Sequence, residues 1–245
     1  MSISTARPAA TGPSRGRRSL AAAGAVLGAA LLLSGCGLRS LASPAQEKVQ
    51  TYDVGGRLTM LKVDSGSGAI VVDQTGRSGV RVTETVHWTD DPPRTRHPVD
   101  GGTLTLDYDC PRDEWRCGVD YKIEIPRDLR VDLHTGSGDI TLRAVSGELK
   151  AVTGSGEIGG SALTARRASA ETGSGDVELR FATAPGTAEL RTGSGSAIVR
   201  VPQDTYDVTA RTGSGQKVVE VGTSASATRR IVVQTGSGDA KVLKG

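Results

Sequence analysis

Three groups of residues have the types and spacing that chemistry requires. The first is Gly154-Ser155-Gly156-Glu157-Ile158-Gly159, which has the G-x-G-x-x-G spacing of a dinucleotide-binding loop. That loop works only between a strand and a helix, where the helix amides receive the pyrophosphate. Here an alternating apolar stretch follows, and related loops elsewhere in the chain lack the third glycine. The second group is Asp139, Glu157, Asp176 and Asp239, each placed directly after a T-G-S-G tetrapeptide. Carboxylates stacked on adjacent strands repel, and a cation such as calcium would relieve them. Ser196 and Gln216 interrupt the series, however, and a roughly 20-residue spacing does not match the nonapeptide calcium repeat. These carboxylates are therefore expected to cap turns, and no metal site is expected. The third group, His87, Asp90, Asp91 and His97, lies in the polar, proline-rich HWTDDPPRTRHP, which reads as an exposed hairpin loop. His134 stands apart. With no G-x-S-x-G, H-E-x-x-H or P-loop pattern, the chain offers no catalytic residue and implies no cofactor.

Cys110 and Cys117 bracket CPRDEWRC. Leu104, Leu106 and Tyr108 alternate before it, and Val119, Tyr121, Ile123 and Ile125 alternate after it. A hairpin pairing Tyr108 with Val119 would set the two cysteines opposite each other, within disulfide reach. A metal at these thiols would need further Cys or His at useful spacing, and there are none. Trp115 is expected at the tip of this loop, exposed, as a candidate binding residue.

The first 35 residues read as an export signal: Arg7, Arg15, Arg17 and Arg18 precede the apolar run Ser19 to Gly35. The run ends in Leu33-Ser34-Gly35-Cys36, which resembles the lipobox of bacterial lipoproteins and implies acylation of Cys36. Arg17-Arg18-Ser19-Leu20 is also similar to a twin-arginine signal, so the export route stays open. Cleavage before Cys36 removes four arginines and no acid, so the formal charge falls from +3 to −1. Nucleic-acid binding then loses its electrostatic basis.

The remainder is dominated by a repeat. T-G-S-G begins at Thr135, Thr153, Thr172, Thr192, Thr212 and Thr235, and S-G-S-G begins at Ser65. Two and four residues before each Thr, and five and seven after it, stand mostly Val, Leu, Ile or Ala, with polar residues between them. That is a half-buried strand on each side of a turn. Such a unit cannot bury its apolar edge alone, and stacking units in chain order gives a β-solenoid with rungs of about 20 residues. The paired glycines, Gly136 and Gly138, Gly154 and Gly156, Gly173 and Gly175, Gly193 and Gly195, Gly213 and Gly215, Gly236 and Gly238, are read as structural turns. Positive φ is expected at the first of each pair and close approach of rungs at the second. The Thr hydroxyl is expected to bond a neighbouring turn amide.

Strands near residues 79–89, 102–110, 119–125 and 129–135 are expected to form antiparallel hairpins that cap the stack, stapled by the disulfide. The divisions are thus a signal at 1–35, a tether at 36–50, a cap at 51–134 and the solenoid at 135–245, all-β throughout.

The run VDYKIEIPRDLRVDLHTGSGDITL, Val119 to Leu142, together with the T-G-S-G units after it, resembles a bacterial domain family of unknown function whose members are known as putative adhesins. The resemblance covers roughly Thr51 to Val242. It implies an exported, surface-attached β-solenoid and carries no catalytic residues. The expected function is a non-enzymatic lipoprotein on the outer face of the membrane, an adhesin or envelope scaffold for a cell-surface polymer or protein. The alternatives are a self-associating envelope component, meeting through an open C-terminal rung, and a polysaccharide-active enzyme, which would need clustered carboxylates.

Overall fold

The structure, a computed structural model, describes residues 45–111 and 116–245. The export segment, Cys36 and Trp115 lie outside the described residues. Every regular element is a strand: β1 (Gln46–Val54), β2 (Met60–Ser67), β3 (Ile70–Gln74), β4 (Val80–Trp88), β5 (Arg94–Arg96), β6 (Val99–Asp100), β7 (Thr103–Asp109), β8 (Gly118–Ile125), β9 (Arg130–Ser137) and β10 (Ile140–Arg143). There follow β11 (Leu149–Ser155), β12 (Ile158–Leu163), β13 (Arg167–Ser174), β14 (Val177–Phe181), β15 (Thr187–Ser194), β16 (Ala197–Val201), β17 (Thr205–Ser214), β18 (Lys217–Val219), β19 (Gly222–Thr223), β20 (Arg230–Ser237) and β21 (Ala240–Lys244).

Each glycine turn carries the chain from one sheet to the other. One strand of a rung joins an 11-stranded sheet and the next joins a 10-stranded sheet. The inward residues of both sheets form one core. Val131, Leu133, Leu149, Ala151, Ala170, Leu190, Ile140, Val177, Leu179 and Val199 are all within 2% of complete burial. Alanine recurs at these sites because the two sheets converge over a thin interior. Neighbouring rungs pair in parallel with no slip at the corner, so Thr153 stands beside Thr135 on one side and Thr172 on the other.

The rungs do not follow chain order. Among the described residues eight rungs stack in the order β7/β8, β2/β3, β9/β10, β11/β12, β13/β14, β15/β16, β20/β21, β17/β18. At about 4.7–4.9 Å per strand this is a stack of roughly 34 Å. At both ends the rung nearest the chain terminus sits one place inward. β20 is hydrogen-bonded between β15 and β17, and β21 between β16 and β18. The open end expected at the C-terminal rung is therefore formed by the Thr212 rung.

Three residue choices favour this insertion. Lys217 occupies an inward position, where a central rung would have to bury its ammonium. On the end rung it is exposed, and it blunts the free edge of the sheet. Chain order would also place Arg191 directly beside Arg211, whereas insertion sets Gln234 between them. The third choice lies in the corner carboxylates.

The segment before Thr135 contains two full rungs, β2/β3 and β7/β8, both parallel to their neighbours. Only β1, β4, β5 and β6 pair antiparallel, with β1 on β4, β4 on β8, and β5 and β6 on β7. The hairpin expected between Tyr108 and Val119 does not form: β7 and β8 belong to opposite sheets. Their cysteines still meet, with Cα atoms 5.9 Å apart, and the Cys110–Cys117 disulfide joins the two sheets at the corner where the other rungs carry a glycine turn. Cys117→Ser should lower stability by about 2–3 kcal/mol, because the closed loop is short. Denaturant titration of the variant beside the wild type, both without reductant, measures it.

Candidate functional site

The corners show how the chemistry-bearing residues are used. The Thr hydroxyl donates to a backbone carbonyl of the adjacent rung: Thr135 to Gly68 O at 3.1 Å, Thr153 to Gly138 O at 3.0 Å, Thr192 to Gly175 O at 2.8 Å and Thr235 to Gly195 O at 2.7 Å. The partner is a carbonyl, not the expected turn amide, because the turn amides already bond the Ser carbonyls of neighbouring rungs, as Gly156 N does to Ser174 O at 2.9 Å.

The expected roles of the two glycines are corrected. The second of each pair carries the positive φ, +134° at Gly175, and a Cβ there would lie 2.1 Å from Gly156 O. The first, Gly173, has no positive φ. It is needed because a Cβ would stand 2.6 Å from Gly154 O of the next rung.

The corner carboxylates cap amides of the neighbouring rung. Asp139 Oδ1 accepts from Glu157 N at 2.8 Å, Asp176 Oδ1 from Ser196 N at 2.7 Å, Asp239 Oδ1 from Gln216 N at 2.9 Å and Asp120 Oδ1 from Ala69 N at 2.7 Å. In spatial order this position reads Asp120, Ala69, Asp139, Glu157, Asp176, Ser196, Asp239, Gln216, an alternation of aspartate and capped residue. The alternation exists only because the last rung is inserted. Among the described residues no three His, Cys, Asp or Glu side chains converge at metal-ligand distances.

The histidine group does not assemble. His87 lies on β4, while His97 follows β5 and stacks against Tyr52 with ring centroids 4.4 Å apart. Ser67, His87 and Arg116 line one small hollow, and Asp120 touches His87. The residue types are those of an acyl-transfer triad. His87 Nε2 faces Asp120 at 3.0 Å and Nδ1 faces Glu47 at 3.6 Å, while the Ser67 hydroxyl donates to Cys117 O at 3.2 Å. The Ser67 hydroxyl is thus turned to a backbone carbonyl and not to the His87 ring.

One buried carboxylate was not singled out by its sequence. Glu84 is fully buried. The Tyr52 hydroxyl donates to it at 2.6 Å, and the Gln50 side-chain amide, which also donates to Thr95, holds its other oxygen. Glu84 thereby fastens edge strand β1 to β4, and Gln50 carries the link on to β5 across the end of the stack. The signal was its inward parity in Val80-Arg81-Val82-Thr83-Glu84-Thr85-Val86. Burial, reinforced by the Glu84 carboxylate, pushes Tyr52 and Tyr121 well above the usual tyrosine range. A folded pKa raised above its unfolded value gives stability that is full below about pH 10 and lost above it. For the buried Tyr121 alone, stability should fall by about 1.4 kcal/mol per pH unit above pH 10. Tyr121→Phe, whose hydroxyl has no partner among the described residues, should flatten that slope in urea titrations from pH 9 to 11.

The largest surfaces left are the outward faces. On the 11-stranded sheet, alternating charges cross the rungs and pair in part, Lys150 with Asp132 at 3.7 Å and Arg167 with Glu148 at 2.8 Å. They border a shallow hollow of about 370 Å³ together with Met60, Arg130 and Glu189. The neighbouring arginine holds the Glu148 carboxyl below its usual range. This is an extended polar face suited to many weak contacts.

An all-β stack with a glycine corner on successive rungs defines a β-solenoid-like class of repeat domain. Residues 122–243 match the Toastrack DUF4097 family, and the chain carries a domain of that family, one of unknown function. Among curated proteins none matches the chain. Among solved structures it is similar to a putative cell adhesion protein from Clostridium sporogenes, at 14% identity and TM-score 0.48 over 82% of this chain and 100% of that one. It is also similar to a putative adhesin from Bacteroides fragilis, at 15% identity and TM-score 0.42 over 81% of this chain and 96% of that one.

Proposed function

We propose that the protein is a non-enzymatic lipoprotein displayed on the outer face of a bacterial membrane, tethered through Cys36, and that its solenoid is a binding or scaffolding domain for a cell-surface polymer or protein. The observation that carries this reading is the use of the polar groups. The Thr hydroxyls and the corner aspartates hold rungs together, and the long sheet faces are what remains exposed. Repetition agrees with it, since a catalytic loop is needed once and a structural corner on every rung.

The test applies the full chain to a panel of cell-wall glycans and surface proteins, scored for both retention and turnover. Retention without turnover is expected. Turnover lost on changing Asp139, Glu157 and Asp176 to Asn, Gln and Asn would overturn the non-enzymatic reading. Acyl labelling in cells is expected for the wild type and absent for Cys36→Ala; equal absence in both would remove the anchor.

A further inference from the structure

The inserted rung sets Gln234 between two arginines that chain-order stacking would place side by side. On β15, β20 and β17, the residues just before the Thr corners are Arg191, Gln234 and Arg211, in that spatial order. They border an open groove of about 520 Å³, lined also by Gly193, Gly236 and Gly213 and ended by Glu171. Arg191 pairs with Glu189 and donates to Gln234 Oε1 at 3.3 Å. Arg211 is exposed and has no carboxylate partner among the described residues. The two arginines stand two strand spacings apart, about 9.5 Å.

The surrounding charge points the same way. Arg191 to Gly245 holds eight Lys or Arg against four Asp or Glu, while Gln46 to Ile125 holds ten against fourteen. The end of the stack farther from the tether is therefore the basic one.

We propose that this groove binds an acidic polysaccharide bearing carboxylates along its chain. The inference rests on the surface-binding reading above and names its partner and place. Guanidinium forks pair with carboxylates. The Gln234 amide, both donor and acceptor, suits the hydroxyls of the intervening sugar. No aromatic residue lines the groove to stack bases, which disfavours single-stranded nucleic acid. Glu171 repels the polymer at one end, so the binding stretch runs from Arg191 towards Arg211 and the end of the stack.

The experiment measures binding of the full chain to alginate, with dextran and polyphosphate as comparisons, at low and high salt. Alginate binding that weakens with salt is expected, with dextran not bound and polyphosphate bound more weakly. Arg211→Gln should weaken alginate binding about tenfold or more. Gln234→Ala should narrow the preference for alginate over polyphosphate. Circular dichroism verifies that both variants are folded. Alginate binding unchanged in both folded variants, or polyphosphate preferred by the wild type, would overturn the assignment. If the wild type binds other polymers of the panel but not alginate, only the groove assignment falls. If it binds none, the surface-binding reading falls with it.

Discussion

A chain ending at Thr228 should not fold. In a solenoid stacked in chain order, removing the final rung exposes one new end and leaves the rest standing. Here the final rung is held on both sides, so its loss opens a gap between β15/β16 and β17/β18. Burying an Ile or Val side chain contributes about 1.5–3 kcal/mol, so Ile231, Val233 and Val242 together contribute about 5 kcal/mol or more. That is comparable with the whole stability of a typical domain. Closing the gap would bring β17/β18 onto β15/β16 in the same register, setting Arg211 beside Arg191. A chain ending at Thr228 is therefore expected to lack a cooperative thermal transition, whereas a full chain carrying Gln234→Ala keeps one. A truncated chain melting within a few degrees of the wild type would show that the last rung lies at an end.

Gly175→Val should cost at least about 3 kcal/mol. Two penalties coincide there: positive φ strains a β-branched residue, and the new Cβ meets a backbone oxygen of the next rung at 2.1 Å, which cannot move without breaking the ladder. Gly173→Val should also destabilise, through its contact with Gly154 O alone. Ser174→Ala should change stability by less than about 0.5 kcal/mol, because its exposed side chain is not used in the corner. Urea titrations of the three variants measure the differences. A ligand-binding loop would behave differently, with stability retained and binding lost in all three.

Much of the rung was legible in the sequence, because strand parity and glycine spacing repeat identically on every unit. The inward positions predicted before and after Thr135, Thr172 and Thr192 are all in the core. Gly160 and the Thr212 rung depart from the rule. Leu163 packs over the position Gly160 leaves empty, after a register shift in β12. The Cys110–Cys117 pairing was legible, but its setting was not: two strands joined by a corner and two joined by a hairpin show the same alternation, and only partner strands distinguish them. Rung order was missed although its signals were printed in the chain. Lys217 stands at an inward position, and the aspartates regain their alternation only when Asp239 is moved between Ser196 and Gln216. A repeat invites stacking in the order in which it is read, and neither signal fits that order. Glu84 escaped notice for a related reason: an acidic residue on an apolar face reads as an exception until Gln50 and Tyr52, more than thirty residues upstream, are brought to it.

The rung order on which the groove depends is tested most directly by paired cysteines at one level of the 11-stranded sheet. Asp207 faces Arg230, and Arg230 faces Thr187, so Asp207 and Thr187 are two strands apart. Adjacent strands lie within disulfide reach and alternate ones, at about 9.5 Å, do not. Oxidised full chain, digested and mapped by mass spectrometry, should show a new disulfide in Asp207→Cys/Arg230→Cys and none in Thr187→Cys/Asp207→Cys. A disulfide in the second pair would mean that the rungs stack in chain order and that Gln234 does not lie between the two arginines.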